Sequence, residues 1–333
     1  MKHKLAIVIP AFKADFFAAT LASIAAQTDK RFVVYIGDDA SPYDLRSVVA
    51  RYQSEMAMVY QRFEQNLGNE DLVAHWERCI ALTNDEEWIW LFSDDDTMEE
   101  DCVAAFYEFL ESKDTGSVDL IHFDMKVIDE NNQQMWPYRQ FPVYLDCVDF
   151  FARRVRSKLH STAVEYIFRR SKWQQVGQFE RFDLAWFADD ATWIKLSRER
   201  GIHSIMGPLV YWRYSGRNIS SQHASNALVG RKVQSGLSFM KWVEGYFKLY
   251  GLVEDTSLWE KTAYLLSVPL SATMLSWKEK IRCADSIARQ MGLSWLGRVG
   301  TIIYVCFFSL RRFAGRSIIG RFIKGNRVLA VNK

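Results

Sequence analysis

Three groups of neighbouring aspartates are the residues of this sequence best suited to chemistry. Asp38-Asp39 and Asp94–Asp96 each end an apolar run, and Asp189-Asp190 precede a helical pattern. Two carboxylates about 4 Å apart repel each other by about 4 kcal/mol at an effective dielectric constant of about 20. The triplet therefore needs a counter-charge. Carboxylate oxygens are the hard ligands that Mg²⁺ and Mn²⁺ prefer, usually one or two of them together with substrate phosphates.

Each aspartate group also has a purely structural interpretation. Asp96 would cap a helix that starts near Met98, the turn at Asp38-Asp39 would close through a side-chain hydrogen bond, and Asp189-Asp190 would be an exposed pair at a helix start. For the triplet this interpretation is weak, because a cap accounts for one aspartate and leaves the other two unexplained.

The elements that must position these groups alternate between strand and helix patterns in the first third of the chain. Buried strands are predicted at "LAIVIP", "FVVYIGDD", "MAMVYQRF" and "EWIWLFSDDD", and amphipathic helices lie between them. Asn69 is the predicted cap of the third helix. The alternation predicts an α/β fold with a mostly parallel sheet covered by helices on both faces. Since such sheets bind ligands beyond the carboxyl ends of their strands, we expect the first two acidic turns to meet in one crevice.

The rest of the chain is less regular. Strands are predicted at "SVDLIHFDMKVID", "TAVEYIFRR" and "GPLVYWRY", the second of which begins a mixed or antiparallel extension of the sheet. From Gly236 onward the patterns are helical. We therefore predict one domain over residues 1–225 and a helical extension over residues 226–333.

Five segments in order make the chain resemble a known family. They are "IVIPAFKADFFAATLASIAAQT", "VVYIGDDASPYD", "EQNLGNEDLVAHWERCIALTNDEEWIWLFSDDD", "EYIFRRSKWQQVGQFERF" and "ADDATW". They are similar to the Pro-Thr-Tyr-Asn turn, the Asp-Asp-Gly-Ser turn, the Asn-x-Gly segment with its Asp-x-Asp strand, the Phe-Arg-Arg and Val-Gly-Gly-Phe run, and the Glu-Asp pair of the inverting glycosyltransferases of family 2. The resemblance covers roughly residues 4 to 220, and it implies the Rossmann-like GT-A fold.

The resemblance also implies a reaction. A sugar would pass from a nucleoside-diphosphate sugar, with a UDP-type donor favoured, to an acceptor hydroxyl, and Mn²⁺ or Mg²⁺ would be the cofactor. The implied nucleotide-binding residues follow the first, second and fourth strands: Pro10, Ala11, Phe12, Asp38, Asp39 and Asp94. Asp95 and Asp96 would bind the metal, although Asp95 alone or Asp94 with Asp96 are equally compatible with the triplet. The family commonly has Thr and Tyr at the positions of Ala11 and Phe12, and an aspartate where Phe92 stands.

Inverting transfer needs a general base that takes the proton of the acceptor hydroxyl while its oxygen attacks the anomeric carbon. Matching the family's Glu-Asp pair places this base at Asp190, with Asp189 in the glutamate position. Adjacent carboxylates also raise the pKa of one partner. The segment "YWRYSGRNIS" resembles a late loop that folds over the diphosphate, to which Arg213 or Arg217 would donate hydrogen bonds.

Charge is unevenly distributed along the chain. The net charge is +2, yet residues 286–333 contain nine Lys or Arg and no Asp or Glu, which leaves −7 for the remainder. The uncharged run "VGTIIYVCFFSL" is shorter than the roughly 20 residues of a spanning helix. With the basic residues that follow, it predicts peripheral contact of residues 295–327 with an anionic membrane. The alternative is a terminal helix that packs on the catalytic domain or on a second subunit.

Other compositional features restrict the location and the partners. Five scattered cysteines and an opening apolar run that ends at Pro10 indicate a reduced compartment, so we expect a cytoplasmic protein at the inner face of the cell membrane. The acidic body carries no nucleic-acid-binding motif, so no nucleic-acid partner is expected.

The preferred interpretation is a glycosyltransferase that acts on a lipid-linked glycan in surface-polysaccharide assembly, of the O-antigen type. The alternative is a GT-A-like assembly partner that binds nucleotide or glycan without turnover, because Ala11, Phe12 and Phe92 depart from the family pattern. A dinucleotide oxidoreductase is disfavoured, since no Gly-x-Gly-x-x-Gly follows the first strand.

Overall fold

The computed structural model describes residues 4–112, 115–216 and 225–308. Strands and helices alternate from the start: β1 (Leu5–Ala11), α1 (Phe17–Ala25), β2 (Phe32–Asp38), α2 (Leu45–Ala50), β3 (Met58–Arg62), α3 (Leu72–Ile80) and β4 (Trp88–Leu91). The next elements are β5 (Thr97–Met98), α4 (Cys102–Ser112), β6 (Leu120–Ile128), β7 (Tyr144–Leu145), α5 (Cys147–Val155), β8 (Tyr166–Arg169), α6 (Arg170–Gln175), α7 (Ala188–Ser197) and β9 (Ile202–Arg213). The helices α8 (Asn226–Tyr250), α9 (Leu258–Ser271) and α10 (Trp277–Gln290) follow, and residues 295–308 are also helical.

Within the described residues, the nine strands form one sheet in the order β3-β2-β1-β4-β8-β6-β9-β5, with β7 paired to β9. The strands β3, β2, β1 and β4 are parallel, β8 is antiparallel to both of its neighbours, and β6 and β9 are parallel to each other. The predicted α/β class, with a mostly parallel central sheet and a C-terminal helical region, is confirmed. Among the described residues, no helix has the length and apolar character needed to cross a membrane.

Aromatic residues of β4 anchor the centre of the sheet. Trp90 is buried, stacks on Phe123 with ring centroids 5.1 Å apart, and donates a hydrogen bond from Nε1 to the carbonyl oxygen of Val164 (2.6 Å). Phe92 is also buried and packs edge-on against Trp90. The residue that stands where the family often has an aspartate is therefore part of the core, and the acidic triplet begins only after it.

The cap of α3 differs from the sequence prediction. Asp71 is the N-cap, and its carboxylate accepts a hydrogen bond from the amide of Ala74 (2.9 Å). Asn69 lies two residues earlier, where its backbone amide donates to the side-chain oxygen of Asn66. The prediction of Asn69 was wrong because two nearby residues have capping side chains, and the backbone path of the preceding turn decides which one reaches the helix.

The chain divides into two compact units. One comprises Met1–Gln222 and Trp242–Asp255, and the other His223–Lys241 and Thr256–Lys333. The first unit contains the whole sheet and every aspartate discussed above. The predicted domain boundary between residues 225 and 226 stays a prediction.

Gly37 in β2 lies against α3, and this close approach generates a prediction. A Cβ atom on Gly37 would lie 2.3 Å from the sulfur of Cys79 and 3.0 Å from a ring carbon of Phe63. We expect Gly37→Ala to lower the free energy of unfolding by about 1–3 kcal/mol through overpacking. Gly245→Ala is the control, because a Cβ there meets nothing within 4 Å; in a helix this change is expected to stabilise by about 0.5–1 kcal/mol. Urea denaturation measures the change in the free energy of unfolding for both variants. Two changes of the same sign would contradict the packing argument.

Candidate active site

The turn after β2 is hydrogen-bonded to the turn after β1. The amide of Asp39 donates to the carbonyl oxygen of Ala11 (2.9 Å), and the hydroxyl of Ser41 donates to that of Phe12 (2.7 Å). The Phe12 side chain is left 38% exposed.

Asp94 attaches the triplet to the same turn. Its Oδ2 accepts hydrogen bonds from the backbone amides of Phe12 (2.8 Å) and Lys13 (2.7 Å). The acidic turns after β2 and β4 therefore meet at the carboxyl end of β1, as the order of the parallel strands predicts.

Asp38 is a buried carboxylate committed to holding its own turn. It accepts hydrogen bonds from the hydroxyl of Tyr60 (2.5 Å), a guanidinium nitrogen of Arg62 (2.8 Å) and the amide of Ser41 (2.8 Å). Burial, and then the bond to Asp38, raise the pKa of Tyr60 to about 12. Asp38 thus acts on the site through the backbone of residues 38–41.

Asp39 is held by the Asn-x-Gly segment. Its two oxygens accept from the amides of Leu67 (2.8 Å) and Gly68 (2.9 Å), and Arg78 pairs with it. A Cβ on Gly68 would lie 2.6 Å from Asp39 Oδ2, so this approach requires glycine. His75 lies 3.6 Å from Asp39, but burial lowers the pKa of His75 to about 4 and keeps the imidazole neutral at pH 7.

Lys13 supplies the counter-charge that the triplet needs. Its Nζ lies 2.5 Å from Asp95 Oδ2 and 3.1 Å from Asp94 Oδ1, and Ser93 donates its hydroxyl to Asp95 Oδ1 (2.6 Å). Although burial lowers the pKa of Lys13, the charges of Asp94 and Asp95 raise it above its ordinary value, so the ammonium form persists. Sequence reasoning missed Lys13; the available signal was a lone lysine in the turn after the first strand.

Asp96 faces the other side of the triplet. Its Oδ1 accepts from the amide of Arg213 (2.6 Å), while its Oδ2 is buried and accepts no hydrogen bond from the described residues. Burial, and then the charge of Asp95, raise the pKa of Asp96 well above its usual range. Because residues 97–98 form β5 and α4 begins only at Cys102, the predicted helix start near Met98 and its cap at Asp96 were wrong.

The donor set of the triplet fits a hard divalent cation. It offers three buried carboxylates, one of which has an oxygen without a hydrogen bond. The described residues contain no group of three or more His, Cys, Asp or Glu arranged to hold a metal by themselves. A cation here would therefore complete its coordination shell with phosphate and water oxygens, which is usual for Mg²⁺.

Arg213 supports the backbone of the triplet. Its guanidinium donates to the carbonyl oxygens of Asp95 (2.8 Å) and Asp129 (2.8 Å) and lies 4.3 Å above the ring of Phe16. The residue is 1% exposed. Its predicted contact with diphosphate stays a prediction, and the geometry favours a positioning role. Arg217 lies outside the described residues.

A strained segment leads into the last aspartate pair. Leu184, Ala185 and Phe187 have backbone φ angles of 62°, 52° and 74°, in the left-handed region that residues other than glycine rarely adopt. Such residues cost about 1–3 kcal/mol each and cluster at functional sites. Phe187 is the N-cap of α7, and Asp189-Asp190 lie in its first turn, so neither carboxylate is the N-cap.

The two carboxylates of this pair have different surroundings. Asp190 is buried and forms a two-point ion pair with Arg154, with Nε–Oδ1 and Nη2–Oδ2 distances of 2.6 and 2.9 Å. Asp189 keeps only part of its surface exposed. This partial burial, and then the charge of Asp190, raise the pKa of Asp189 to about 7. The strained segment therefore presents one carboxylate locked to an arginine and one that exchanges a proton near neutrality.

The comparisons with known proteins agree with this arrangement. The family model for glycosyl transferase family 2 matches residues 6–176, about half of the chain, and the chain belongs to that family. No curated protein matches the sequence. Two similar solved structures are residues 1–349 of TarS from S. aureus in complex with UDP-GlcNAc, and the mannosyltransferase PcManGT from Pyrobaculum calidifontis in complex with GDP-Man and Mn²⁺.

Both structures resemble this chain in fold. TarS 1–349 has a TM-score of 0.58 at 14% identity, over 86% of this chain and 81% of that one. PcManGT has a TM-score of 0.51 at 14% identity, over 94% of this chain and 88% of that one. The chain thus has the GT-A fold of a family 2 glycosyltransferase.

The Arg154–Asp190 ion pair generates a stability prediction. Arg154→Met leaves a buried carboxylate without its partner, so we expect the free energy of unfolding at pH 7 to fall by about 3–5 kcal/mol.

The double variant Arg154→Met/Asp190→Asn is the matched control, since it removes the charge along with its partner and should recover part of the loss. Guanidinium denaturation at pH 7 measures these differences. A single variant as stable as the parent protein would show that the ion pair is dispensable.

Proposed function

We propose that this protein is an inverting glycosyltransferase that moves a sugar from a nucleoside-diphosphate sugar to an acceptor hydroxyl. The observation that carries the proposal is the convergence of two acidic turns on the segment Ala11–Lys13, in a chain that belongs to family 2. The strained segment before Asp189 is a second, independent support.

The nucleotide would bind beside Phe12 and Asp39. The partly exposed ring of Phe12 offers a stacking surface for a base, and Asp39 is held rigidly by two amides and Arg78. A UDP-type donor is favoured on the family resemblance. The two similar structures contain UDP-GlcNAc and GDP-Man, so both bases belong in the test.

Asp95 and Asp96 would hold Mn²⁺ or Mg²⁺, with Asp94 positioning the turn. When bound, such a cation acts as a Lewis acid that stabilises charge on the departing nucleoside diphosphate. Arg213 and Thr20 hold the backbone of the triplet in place, since they donate to the carbonyl oxygens of Asp95 and Asp96 at 2.8 Å each.

The general base would come from the pair at the start of α7. The sequence match assigns this role to Asp190, and that assignment stays a prediction. The geometry favours Asp189, because both oxygens of Asp190 are engaged by Arg154 while Asp189 has a pKa of about 7. A base is most effective when its pKa lies near the working pH. In this scheme Asp190 and Arg154 orient the helix start, and Asp189 takes the proton of the acceptor hydroxyl.

The pairing of Asp190 with Arg154 is also the observation that favours the alternative, a GT-A-like protein that binds nucleotide or glycan without turnover. Turnover separates the two functions directly.

The acceptor in this proposal is a lipid-linked glycan of a surface polysaccharide, reached at the inner face of the cell membrane. The helical residues 295–308 leave large apolar side chains exposed: Trp295, Leu296, Ile303, Phe307 and Phe308. Residues 296, 303 and 307 are spaced as on one face of a helix. The basic residues that follow lie outside the described residues, and each would add about 1 kcal/mol of attraction to an anionic leaflet.

The enzymatic proposal is tested by incubating the purified protein with UDP- and GDP-sugars, with and without Mn²⁺, and measuring release of the nucleoside diphosphate. We expect turnover of at least one donor, with kcat/KM rising with pH up to about 7 as Asp189 loses its proton. Asp189→Asn should lower kcat by about 10²–10⁴-fold and abolish this pH dependence.

Asp149→Asn is the matched control, because Asp149 is an exposed aspartate in the first turn of another helix, α5. It should leave the rate unchanged. Donor binding without turnover, at any pH and with any acceptor extract, would favour the non-catalytic alternative.

Membrane attachment is tested by flotation with vesicles of phosphatidylglycerol and phosphatidylethanolamine. We expect the parent protein to float with the vesicles and the double variant Ile303→Glu/Phe307→Glu to lose most of this binding, because two charges on the apolar face oppose insertion. Val253→Glu replaces a residue that is 88% exposed elsewhere in the chain and serves as the control. Equal flotation of all three proteins would argue against a membrane role for this face.

A further inference from the structure

Lys13 is bound to the triplet through both its backbone and its side chain. Its amide donates to Asp94 Oδ2 at 2.7 Å, and its ammonium group lies 3.1 Å from Asp94 Oδ1 and 2.5 Å from Asp95 Oδ2. The backbone contact fixes where the side chain starts, so the position of the ammonium group is a built feature of the turn after β1.

The Lys13 side chain is the most exposed of the three that form this ion-pair cluster. The Lys13 side chain is 23% exposed, whereas those of Asp94 and Asp95 are 4% and 1% exposed. The other oxygens of the two carboxylates already accept hydrogen bonds, from two amides at Asp94 and from Ser93 at Asp95. A cation that approaches Asp95 from solvent therefore meets the oxygen that Lys13 occupies.

We propose that Lys13 is a resident counter-ion of the triplet and competes with the divalent cation for Asp95. The cation then binds well only together with a nucleoside diphosphate, whose phosphate oxygens replace the carboxylates as partners of the ammonium group. This inference rests on the proposed function, since it concerns how the same site takes its cofactor and donor.

Charge balance gives the physical reason. The carboxylates of the triplet attract a divalent cation, but the positive charge of Lys13 on the same oxygens repels the incoming ion. A diphosphate carries enough negative charge to bind both the divalent ion and the ammonium group. Mg²⁺ and Mn²⁺ are commonly held by one or two carboxylates plus substrate phosphates, and the described residues offer no larger cage.

The test is a titration of the full chain with Mn²⁺, first without nucleotide and then with UDP or GDP. The electron paramagnetic resonance signal of free Mn²⁺ measures how much of the ion is bound. The parent protein should bind Mn²⁺ weakly alone and markedly more tightly with one of the nucleotides. Lys13→Met keeps most of the side-chain length without the charge, so it should bind Mn²⁺ alone about ten-fold more tightly than the parent does.

Lys248→Met is the matched control, because it removes one positive charge from an exposed position in the last turn of α8. It should not change the affinity for Mn²⁺. An unchanged or weaker Mn²⁺ affinity in Lys13→Met would overturn the inference.

Removing Lys13 also leaves buried carboxylates without their counter-ion, so the melting temperature is measured with and without Mn²⁺, and Lys13→Gln is studied in parallel. Destabilisation that Mn²⁺ reverses supports the competition. If both variants melt at a lower temperature and saturating Mn²⁺ does not change this, the competition is overturned, because the ion then gains nothing from the vacated oxygen.

The two proposals fail in different ways. If the parent protein turns over a nucleotide sugar and Lys13→Met has the same Mn²⁺ affinity as the parent, the proposed function stands and this inference is wrong. A parent protein that turns over no donor loses the proposed function, and the metal titration still decides the role of Lys13.

Discussion

The repulsion among three buried carboxylates is the constraint on which the rest of the site depends. Asp94 meets it with two backbone amides and Asp95 with the ammonium of Lys13, while Asp96 has a raised pKa. The solutions at Asp94 and Asp95 each require a partner from another part of the chain, so the triplet holds the turn after β1 in place while its charge is being balanced. The same contacts that stabilise the fold thus shape the proposed site for cation and phosphate.

The aspartate pair at the start of α7 shows how adjacent identical residues acquire different surroundings. The two-point pair with Arg154 fixes the carboxylate of Asp190, and the charge of Asp190 helps to raise the pKa of its neighbour Asp189. The positive φ angles at residues 184, 185 and 187 cost conformational energy that a plain helix start would avoid. Both features fit a site in which one carboxylate positions and the other accepts a proton.

Much of the fold followed from pattern alone. The four parallel strands, the antiparallel position of β8 and the C-terminal helical region correspond to the predicted elements, because strand and helix periods are local properties of the chain. The cap of α3 did not follow, since several neighbouring side chains have capping ability and the turn geometry selects among them. The departure at Phe92 is explained only by its packing against Trp90.

The sequence by itself determined the sheet class, the family resemblance and the placement of two acidic turns at strand ends, because these depend on spacing along the chain. Only the tertiary structure decided which groups balance the acids. Lys13 is about 80 residues from Asp94 and Asp95, and Arg154 is 36 residues from Asp190. Charge compensation acts through space, and a linear sequence does not state which distant cation reaches which carboxylate.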